Sequence, residues 1–489
     1  MIASRAKPAR EAFFRPVSAS NKYPERMNVM YLYNSATHKK AEFTTHTPGH
    51  VEMYTCGPTV YHFAHIGNLR SYIMEDVLEK FLRYSGYSVN RVMNITDVGH
   101  LLSDGDTGED KMEKSAREQK KSPYEIAETI AAQFFADLKS LNISRPTVTP
   151  KATDNIPEMI EIVKALLEKG FAYETDDGIY FSVEKFPEYG KLSGINLDEQ
   201  KSGARVEVNE QKRHPADFAL WKKAPANHIM QWDSPWGMGF PGWHIECTAM
   251  SKKFLGETFD IHTGGIDHIP IHHENEIAQS EAWLGHRCVN YWMHGEFMLF
   301  DGGKMSKSLG NCYLLSDLEK MGYSPMQFRY FCLNTHYRQK LNFTFDALSA
   351  AGTAYDRLLA LLKAHSDSPT ETDAKTLEGF EKDFHAAVND DLNVPMAIGV
   401  LWKMLKLPKS KDVYRLALKM DSVFGLSLDA LPKDREENIP DDVKAVAEER
   451  FAARKAKDWV KSDSLRLKLA ELGYEVKDGA DGYTLSKSK

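Results

Sequence analysis

The sequence contains no apolar run that approaches the roughly 20 residues a membrane-spanning helix needs. It also lacks an excess of positive charge, because 62 Lys and Arg residues are balanced by 69 Asp and Glu residues and the formal net charge is −7. These absences argue against a membrane protein and against a chain that binds nucleic acid through an overall basic surface. Any contact with RNA must therefore come from local patches.

Cysteine is scarce as well, with five residues in a chain of 489. The number is odd and the positions are widely scattered, which argues against a disulfide framework and favours a reducing, cytoplasmic setting. The first 26 residues lack the apolar centre of a secretory signal. We expect a disordered tail there, with a transit peptide and an upstream start codon as alternatives.

What is present is an interrupted α/β pattern in a chain long enough for two to four domains. From Val51 to Asp97 the pattern predicts a strand, a helix and a strand, which is a βαβ unit of a parallel sheet with a nucleotide site at the carboxyl ends of its strands. The pattern breaks off in residues 146–241 and resumes in 242–315. Helical periodicity then dominates, and Leu431 to Pro440 has the composition of a linker before one predicted amphipathic helix, Asp441 to Leu472.

Two short strings suit phosphate chemistry. His65-Ile66-Gly67-Asn68 follows the first predicted strand and opens a helix, where backbone N–H groups favour an anion, although a capping or core histidine is the alternative. Lys304-Met305-Ser306-Lys307-Ser308 follows a glycine pair, and its two lysines can stabilise the charge of a triphosphate. A solvated loop is the alternative for this second string.

A third set of residues suits a metal ion. Cys56 ends the first strand, Cys247 lies much later, and His272 and Glu276 are four residues apart on one predicted helical face. Two thiolates, an imidazole and a carboxylate suit tetrahedral Zn²⁺. The residues alone leave two alternatives open: His273 or His244 in place of His272, and a pair of buried structural cysteines without metal.

The two phosphate strings, in this order around an interrupted α/β pattern, resemble the HIGH and KMSKS signatures of class I aminoacyl-tRNA synthetases. Residues 304–308 match their signature fully, whereas Asn68 replaces the last histidine of the other. The segments Gly242-Trp243-His244-Ile245-Glu246-Cys247 and His272-His273-Glu274-Asn275-Glu276-Ile277-Ala278-Gln279 are similar to cysteine–tRNA ligases within that class. The resemblance extends from about Met27 to near the carboxyl end.

The resemblance implies a two-step reaction in which cysteine is activated by ATP as an adenylate and then transferred to tRNA-Cys. It implies one Zn²⁺ per chain that accepts the thiolate of the substrate cysteine, and Mg²⁺ that accompanies ATP. The implied metal ligands are Cys56, Cys247, His272 and Glu276. The implied catalytic residues are His65, Asn68, Lys304 and Lys307, the implied ATP-binding residues are His65, Lys307, Gly57 and Thr59, and the implied substrate-binding residues are Trp243, Thr96 and Asp267.

The implied fold is a class I Rossmann-like parallel sheet with an insertion, followed by a helical bundle and a small terminal module. We expect a monomer whose partners are tRNA-Cys, L-cysteine and ATP, with no membrane. The expected divisions are an extension, 1–26; a catalytic domain, 27–145 with 242–315; an insertion, 146–241; a stem-contact region, 316–350; a helical anticodon-binding domain, 351–430; and a tRNA-binding module, 441–489.

Two further expectations concern residues outside the active site. Arg450, Arg454, Lys457 and Lys461 are spaced to form a basic stripe along the last helix, which suits an RNA backbone, with a solvated face as the alternative. Cys288, Cys312 and Cys332 match no ligand position and are expected to be buried small apolar residues.

Three other functions remain as alternatives. A related ligase joins cysteine to an amino-sugar inositol in mycothiol synthesis, but that family is shorter and lacks a long helical region. A non-catalytic RNA-binding paralogue would keep the fold without the activity. A simple zinc hydrolase would need an open water position and a nearby base, which the sequence does not single out.

Overall fold

The computed structural model describes residues 29–99, 112, 115, 117, 120–197, 211–225, 228–305, 310–431, 440–478 and 482–487. The predicted extension 1–26 and Lys307 lie outside these residues. The chain divides into two compact units between Asp429 and Ala430. Among the described residues, no helix is both long enough and apolar enough to cross a membrane.

The first unit contains thirteen strands and eleven α-helices among its described residues. The strands are β1 (Tyr31–Asn34), β2 (Lys39–Glu42), β3 (His50–Thr55), β4 (Ser88–Met93), β5 (Ala172–Glu174), β6 (Gly178–Phe181), β7 (Phe218–Lys223), β8 (Gly239–Pro241), β9 (Phe259–Gly265), β10 (Val289–Gly295), β11 (Met298–Phe300), β12 (Gly303–Lys304) and β13 (Leu341–Phe343). The helices are α1 (Ile66–Tyr84), α2 (Pro123–Ser140), α3 (Ile156–Glu168), α4 (Trp243–Leu255), α5 (Glu274–Leu284), α6 (Leu315–Lys320), α7 (Pro325–Leu333), α8 (Phe345–Ser366), α9 (Ala374–Asn389), α10 (Val394–Met404) and α11 (Lys411–Phe424).

A parallel sheet of four strands, in the order β10-β9-β3-β4, forms the centre of the first unit. In β3, Val51, Met53 and Tyr54 are fully buried, as expected for a strand that is covered on both faces. The chain passes from β3 to β4 through α1, so the predicted βαβ unit is confirmed. The α/β class with a Rossmann-like sheet is confirmed with it.

Helix α1 covers the sheet with a stripe of buried apolar side chains. Leu69, Ile73, Val77 and Phe81 recur every four residues and are at most 2% exposed. This spacing places them on one face of the helix, where burial of such side chains stabilises the fold by about 2 kcal/mol each. Because α1 packs against the sheet in this way, its amino-terminal end is fixed beside the carboxyl ends of the strands.

The insertion forms a sheet of its own. Strands β5, β6, β7 and β8 pair antiparallel in chain order, and Trp221 in β7 is fully buried. The chain then enters α4, which returns to the central sheet. The insertion therefore interrupts the parallel sheet in the sequence without entering it.

The helices that follow the central sheet are tied to α1 by a buried arginine. Arg329 in α7 lies 2.6 Å from Asp76 in α1 and donates to the carbonyl oxygens of Phe424 and Leu141 at 2.8 and 2.9 Å. The Arg329 and Lys80 cations hold the pKa of the Asp76 carboxyl at about 2, against a burial that alone would raise it. A fully paired buried charge of this kind fixes the relative position of α1, α7 and the carboxyl ends of α2 and α11.

The second unit contains two helices, α12 (Asp441–Lys455) and α13 (Trp459–Glu471), and a hairpin of β14 (Tyr474–Asp478) and β15 (Tyr483–Lys487). The prediction of one helix over Asp441 to Leu472 is wrong. The helix ends at Lys455, and Lys457 takes a left-handed φ of 61°, which an α-helix cannot continue through.

This break also makes the predicted basic stripe wrong. Arg450 is 1% exposed on its side chain and pairs through two hydrogen bonds, at 2.7 and 2.8 Å, with Asp478 in β14. Lys461 lies on the other helix and pairs with Glu449 at 2.8 Å. Arg450 therefore stabilises the interior of the unit.

One smaller expectation also needs correction. Cys288 and Cys332 are buried as predicted, each 4% exposed, but Cys312 is only half-buried.

Candidate metal and nucleotide site

The four predicted metal ligands come together at the carboxyl end of the central sheet. Cys56 directly follows β3, Cys247 lies in α4, His272 lies in a π-helical turn over Ile269–His273, and Glu276 lies in the first turn of α5. One donor atom from each residue lies within 4.8 Å of all the others. Each residue is at most 6% exposed, so the cluster is buried.

The backbone around Cys56 explains why the chain can bring that thiol to the cluster. The amide of Cys56 donates to the carbonyl oxygen of Thr263 in β9 at 3.1 Å. The amide of Gly57 donates to Asn94 Oδ1 at 2.8 Å. A Cβ atom on residue 57 would collide with the carbonyl oxygen of Asn94, so only glycine allows this close approach.

Polar contacts connect the cluster to neighbouring histidines. Glu276 accepts contacts on both oxygens: Oε1 lies 3.0 Å from His272 Nε2, and Oε2 lies 2.9 Å from His262 Nε2. His273 Nε2 lies 3.2 Å from Cys56 Sγ. His244, the other histidine weighed for this site, lies with Nδ1 3.0 Å from His272 Nδ1.

Burial and interactions within the cluster shift the side-chain pKa values of its members. Burial would raise the pKa of Glu276, but the His262 and His272 imidazoles bring it to about 2. Burial would likewise raise the pKa of Cys247, but a hydrogen bond from Cys56 and the His272 charge lower it. Burial and the neighbouring Cys247 raise the pKa of Cys56. Cys247 and Glu276 in turn raise the pKa of His272 to about 10 against its burial, so these buried acidic groups favour a cation beside them.

Zn²⁺ fits this donor set. Two sulfurs, one imidazole nitrogen and one carboxylate oxygen are its usual ligands, with bonds of about 2.0–2.3 Å. The four donors lie close enough to surround one ion of that size. A second set shares two members with the first, and its donor atoms also lie within 4.8 Å of one another: Cys56, His262, His273 and Glu276.

Among the predicted substrate-binding residues, Trp243 lies against the cluster and Thr96 contacts Glu246, the residue before Cys247. The ring of Trp243, at the start of α4, has its centroid 4.5 Å from that of His272. Thr96 Oγ1 donates to Glu246 Oε2 at 2.8 Å and accepts from Asn94 Nδ2 at 2.9 Å. Glu246, which is fully buried, was not predicted from the sequence as a site residue. Its position in the Gly-Trp-His-Ile-Glu-Cys segment, one helical turn from Trp243, could have indicated it.

Asp267 and Thr59 lie on the two loops that flank this end of the sheet. Asp267 is in a 3₁₀ turn after β9, and a Cβ atom on Gly265 would overlap its carboxylate. Thr59 pairs with Thr96 in an isolated parallel bridge. The chain after Gly57 therefore runs beside the chain that contains Thr96.

His65 and Asn68 form a capping box at the start of α1. The amide of Asn68 donates to His65 Nδ1 at 3.3 Å, and the amide of His65 donates to Asn68 Oδ1 at 3.2 Å. His65 therefore caps α1, and its role toward phosphate stays a prediction. Asn68 suits this position because its side-chain oxygen satisfies a backbone donor that the helix leaves unpaired.

The lysine string approaches this helix start. Lys304 lies in β12, while Ser306, Lys307 and Ser308 lie outside the described residues. Met305 is buried, and a Cβ atom on Gly67 would lie 3.3 Å from its sulfur. Met305 therefore lies against Gly67 and joins the two phosphate strings at the amino-terminal end of α1.

Comparisons with known proteins agree with this architecture. Residues 42–353 match the family described as tRNA synthetases class I (C) catalytic domain, and residues 436–484 match the cysteinyl-tRNA ligase anticodon binding domain. The solved structure of Mycobacterium tuberculosis methionyl-tRNA synthetase in complex with methionyl-adenylate has the same fold, with a TM-score of 0.53, 16% sequence identity, and coverage of 76% of this chain and 88% of that chain.

Curated relatives match over nearly the full length. The cysteine–tRNA ligase of Treponema denticola is 43% identical and covers 93% of this chain and 99% of its own. Cysteine–tRNA ligase 1 of Burkholderia lata is 45% identical, with 93% and 96% coverage, and the Thermus thermophilus ligase is 43% identical, with 93% and 98% coverage. The chain belongs to the cysteine–tRNA ligase family of the class I aminoacyl-tRNA synthetases.

Proposed function

We propose that this protein ligates L-cysteine to tRNA-Cys through a cysteinyl-adenylate, and that a zinc ion recognises the cysteine thiolate. The observation that carries the proposal is the buried Cys56, Cys247, His272 and Glu276 cluster beside Trp243 and the start of α1. Bound zinc would supply a strong, selective ligand for a thiolate. The hydroxyl of serine is a far poorer ligand, so no editing site is needed.

The protein's own side chains position the two substrates. Since His65 Nδ1 accepts from the Asn68 amide, the neutral ring carries its proton on Nε2, which can donate to a phosphate oxygen of ATP. Asn68 holds that ring through the capping box rather than reaching the phosphates itself. Lys304 and Lys307 would stabilise the phosphate charge that builds during attack by the cysteine carboxylate, with Mg²⁺ accompanying ATP.

Gly57 and Thr59 would border the ATP. Their side chains are small, so the backbone that follows β3 would leave room for a ligand at this end of the sheet. Trp243 would form the wall against the cysteine side chain, since its ring already packs on the ligand His272. Thr96 and Asp267 would offer oxygen acceptors to the ammonium and hydroxyl groups of the adenylate. The hydroxyl of Thr96 is oriented for this by Glu246 and Asn94.

The second unit would contact the tRNA anticodon. Trp459 is 55% exposed at the start of α13, and the guanidinium of Arg454 lies 5.7 Å from its ring centroid. An exposed aromatic ring beside a cation is a platform on which a nucleobase stacks. The helices after residue 316 and this unit favour tRNA as the acceptor over the amino-sugar of the mycothiol ligase.

The test is cysteine-dependent exchange of pyrophosphate into ATP, followed by charging of pure tRNA-Cys. Cys247→Ser should raise the KM for cysteine by about 100-fold or more while changing the KM for ATP little, because the thiolate recognition is lost and the phosphate site is not. Cys288→Ser is the matched control, since Cys288 is equally buried but lies outside the cluster, and it should change neither constant.

Normal cysteine affinity in Cys247→Ser would contradict the zinc-thiolate recognition. Absence of pyrophosphate exchange in the unaltered protein would favour the non-catalytic paralogue. Exchange without tRNA charging would favour the mycothiol-type ligase. The five free cysteines further support a reducing, cytoplasmic compartment, and sedimentation of the pure protein will test the proposed monomer.

A further inference from the structure

The donor atoms at the carboxyl end of the sheet form two overlapping sets. Cys56 and Glu276 belong to both, whereas Cys247 and His272 complete one set and His262 and His273 complete the other. In each set, one donor atom per residue lies within 4.8 Å of the others, and all the residues are buried. The second set contains one sulfur, two imidazoles and a carboxylate, which is also a donor combination that Zn²⁺ accepts.

Glu276 contacts members of both sets. Oε1 lies 3.0 Å from His272 Nε2, and Oε2 lies 2.9 Å from His262 Nε2. Its Oε1 also lies 3.8 Å from His273 Nε2 and 4.0 Å from Cys56 Sγ. Cys56 faces the second set directly, since its sulfur is 3.2 Å from His273 Nε2. Cys56 and Glu276 are therefore the two residues that both sets share.

The two sets face different surroundings. His272 packs on Trp243, the wall proposed for the cysteine pocket. His262 stacks on Trp292 instead, with ring centroids 4.4 Å apart and planes at 18°, and Trp292 is 3% exposed. One set thus lies towards the substrate and the other towards the protein interior.

The histidines of the second set are also oriented in a way that suits metal binding. His273 Nδ1 lies 2.7 Å from His294 Nε2, and His294 Nδ1 lies 2.8 Å from Ser35 Oγ. Metal-binding histidines are usually held in this way through their other nitrogen. His262 is 1% exposed, and its Nδ1 has no hydrogen-bond partner among the described residues, so its burial is not explained by a fully satisfied polar network.

We propose that His262 and His273, with Cys56 and Glu276, form a second zinc-binding set that retains the ion when the Cys247 and His272 side of the site is lost. This inference rests on the zinc-dependent function proposed above. Because two ligands are shared, the sets are alternatives for one ion. The first set has two thiolates and holds the ion in the intact protein, and the second has one.

The proposal therefore gives the ligands different roles. Cys56 and Glu276 are required for any zinc to be retained. Cys247 and His272 are required for recognition of cysteine but not for retention of the metal. A single tetrahedral site predicts instead that loss of any one thiolate ligand empties it.

The test measures zinc by mass spectrometry in the full-length protein after gel filtration. Cys247→Ala should retain about one equivalent of zinc, whereas Cys56→Ala should retain almost none. The double variant Cys247→Ala with His262→Ala should lose its zinc. Its matched control is Cys247→Ala with His244→Ala, which should retain zinc, because His244 is a buried histidine that belongs to neither set.

Cobalt substitution gives a second readout that does not depend on activity. The charge-transfer absorption from thiolate to Co²⁺ should fall to about half in Cys247→Ala, because one of the two thiolates remains. His272→Ala should retain its cobalt with the spectrum of the second set, and it serves in place of Cys247→Ala if that variant fails to fold. Circular dichroism identifies the folded variants.

Metal-free but folded Cys247→Ala and His272→Ala proteins, beside an unaltered protein with one zinc, would overturn this inference and leave the proposed function intact. Zinc retained equally by both double variants would also overturn it, since His262 would then contribute nothing. An unaltered protein without zinc would instead overturn the proposed thiolate recognition itself.

Discussion

Glu75 in α1 is a buried acid that should make the stability of the first unit depend on pH. Its side chain is fully buried, and its Oε1 accepts from Thr263 Oγ1 at 3.1 Å. Burial raises the pKa of Glu75 from 4.5 to about 8, although the Arg91 cation and the Thr263 hydrogen bond act in the opposite direction. Glu75 therefore stays protonated in the folded state up to about pH 8, whereas in the unfolded chain it ionises near pH 4.5.

The sign and size of the effect follow from this difference. The contribution of Glu75 to stability is fully present below about pH 4.5 and is lost as the pH rises through about 8. Each pKa unit corresponds to about 1.4 kcal/mol, so the full loss approaches 5 kcal/mol, and relaxation of the surroundings reduces it to about 2–4 kcal/mol. Glu75→Gln stays neutral and keeps an acceptor for Thr263, so it should be more stable than the unaltered protein by about that amount at pH 8 and by less than about 1 kcal/mol at pH 5.

The assay is urea unfolding followed by tryptophan fluorescence at a series of pH values from 5 to 8. Of the eight tryptophans, all but Trp459 precede Ala430, so the signal reports mainly the first unit. Asp76→Asn is the matched control one residue away, because the pKa of Asp76 is held at about 2 by Arg329. That variant leaves Arg329 buried without its partner and should be less stable by about 3–5 kcal/mol near neutral pH. A free energy difference for Glu75→Gln that does not change between pH 5 and pH 8 would refute the reasoning.

Three further predictions concern other parts of the chain. Gly57→Ala should lower the free energy of unfolding by about 2–4 kcal/mol, because its Cβ would collide with the backbone of Asn94, whereas Gly399→Ala in α10 has open space and should raise it by about 0.5–1 kcal/mol in the same urea assay. Trp459→Ala should weaken tRNA-Cys binding in a filter assay by about 1–3 kcal/mol without lowering stability, and an affinity equal to that of Val460→Ala, an exposed neighbour, would argue against base stacking. Asp478→Ala should destabilise the second unit by about 1–3 kcal/mol in calorimetry, because it leaves the buried Arg450 without its partner, and an unchanged transition would contradict that pairing.

The functions that compete with tRNA ligation differ in what they require of the same residues. A mycothiol-type ligase needs the cluster and the phosphate strings but no second unit. An RNA-binding paralogue needs the second unit but not an intact cluster. This chain has both, since the cluster is buried and close-set and the second unit has its own core around Ala447, Leu469 and Tyr474.

Local sequence was enough to predict the central elements. The strand that precedes Cys56 and the helix that follows His65 are specified by short-range patterns: a buried apolar run and a four-residue spacing of apolar side chains. The four candidate metal ligands were predicted by residue type and by family resemblance, and the fold brings their donor atoms together. The strand and the helix depend on neighbours within a few turns of the chain. The candidate ligands were predicted from the residue types in short motifs.

The remaining features depend on contacts between segments far apart in the sequence. The amphipathic pattern of residues 441–472 is the same for one helix or two. In the structure there are two helices, and Arg450 is buried against Asp478, which lies in the hairpin that follows them. The ligand choice among neighbouring histidines was open for a similar reason. His272 and His273 are adjacent in the sequence, and only the packing of the π-helical turn against α4 and the end of β9 places one beside Cys247 and the other beside Cys56. Residue types and spacing therefore determined which chemistry the chain has available, while long-range packing decided which donor faces which.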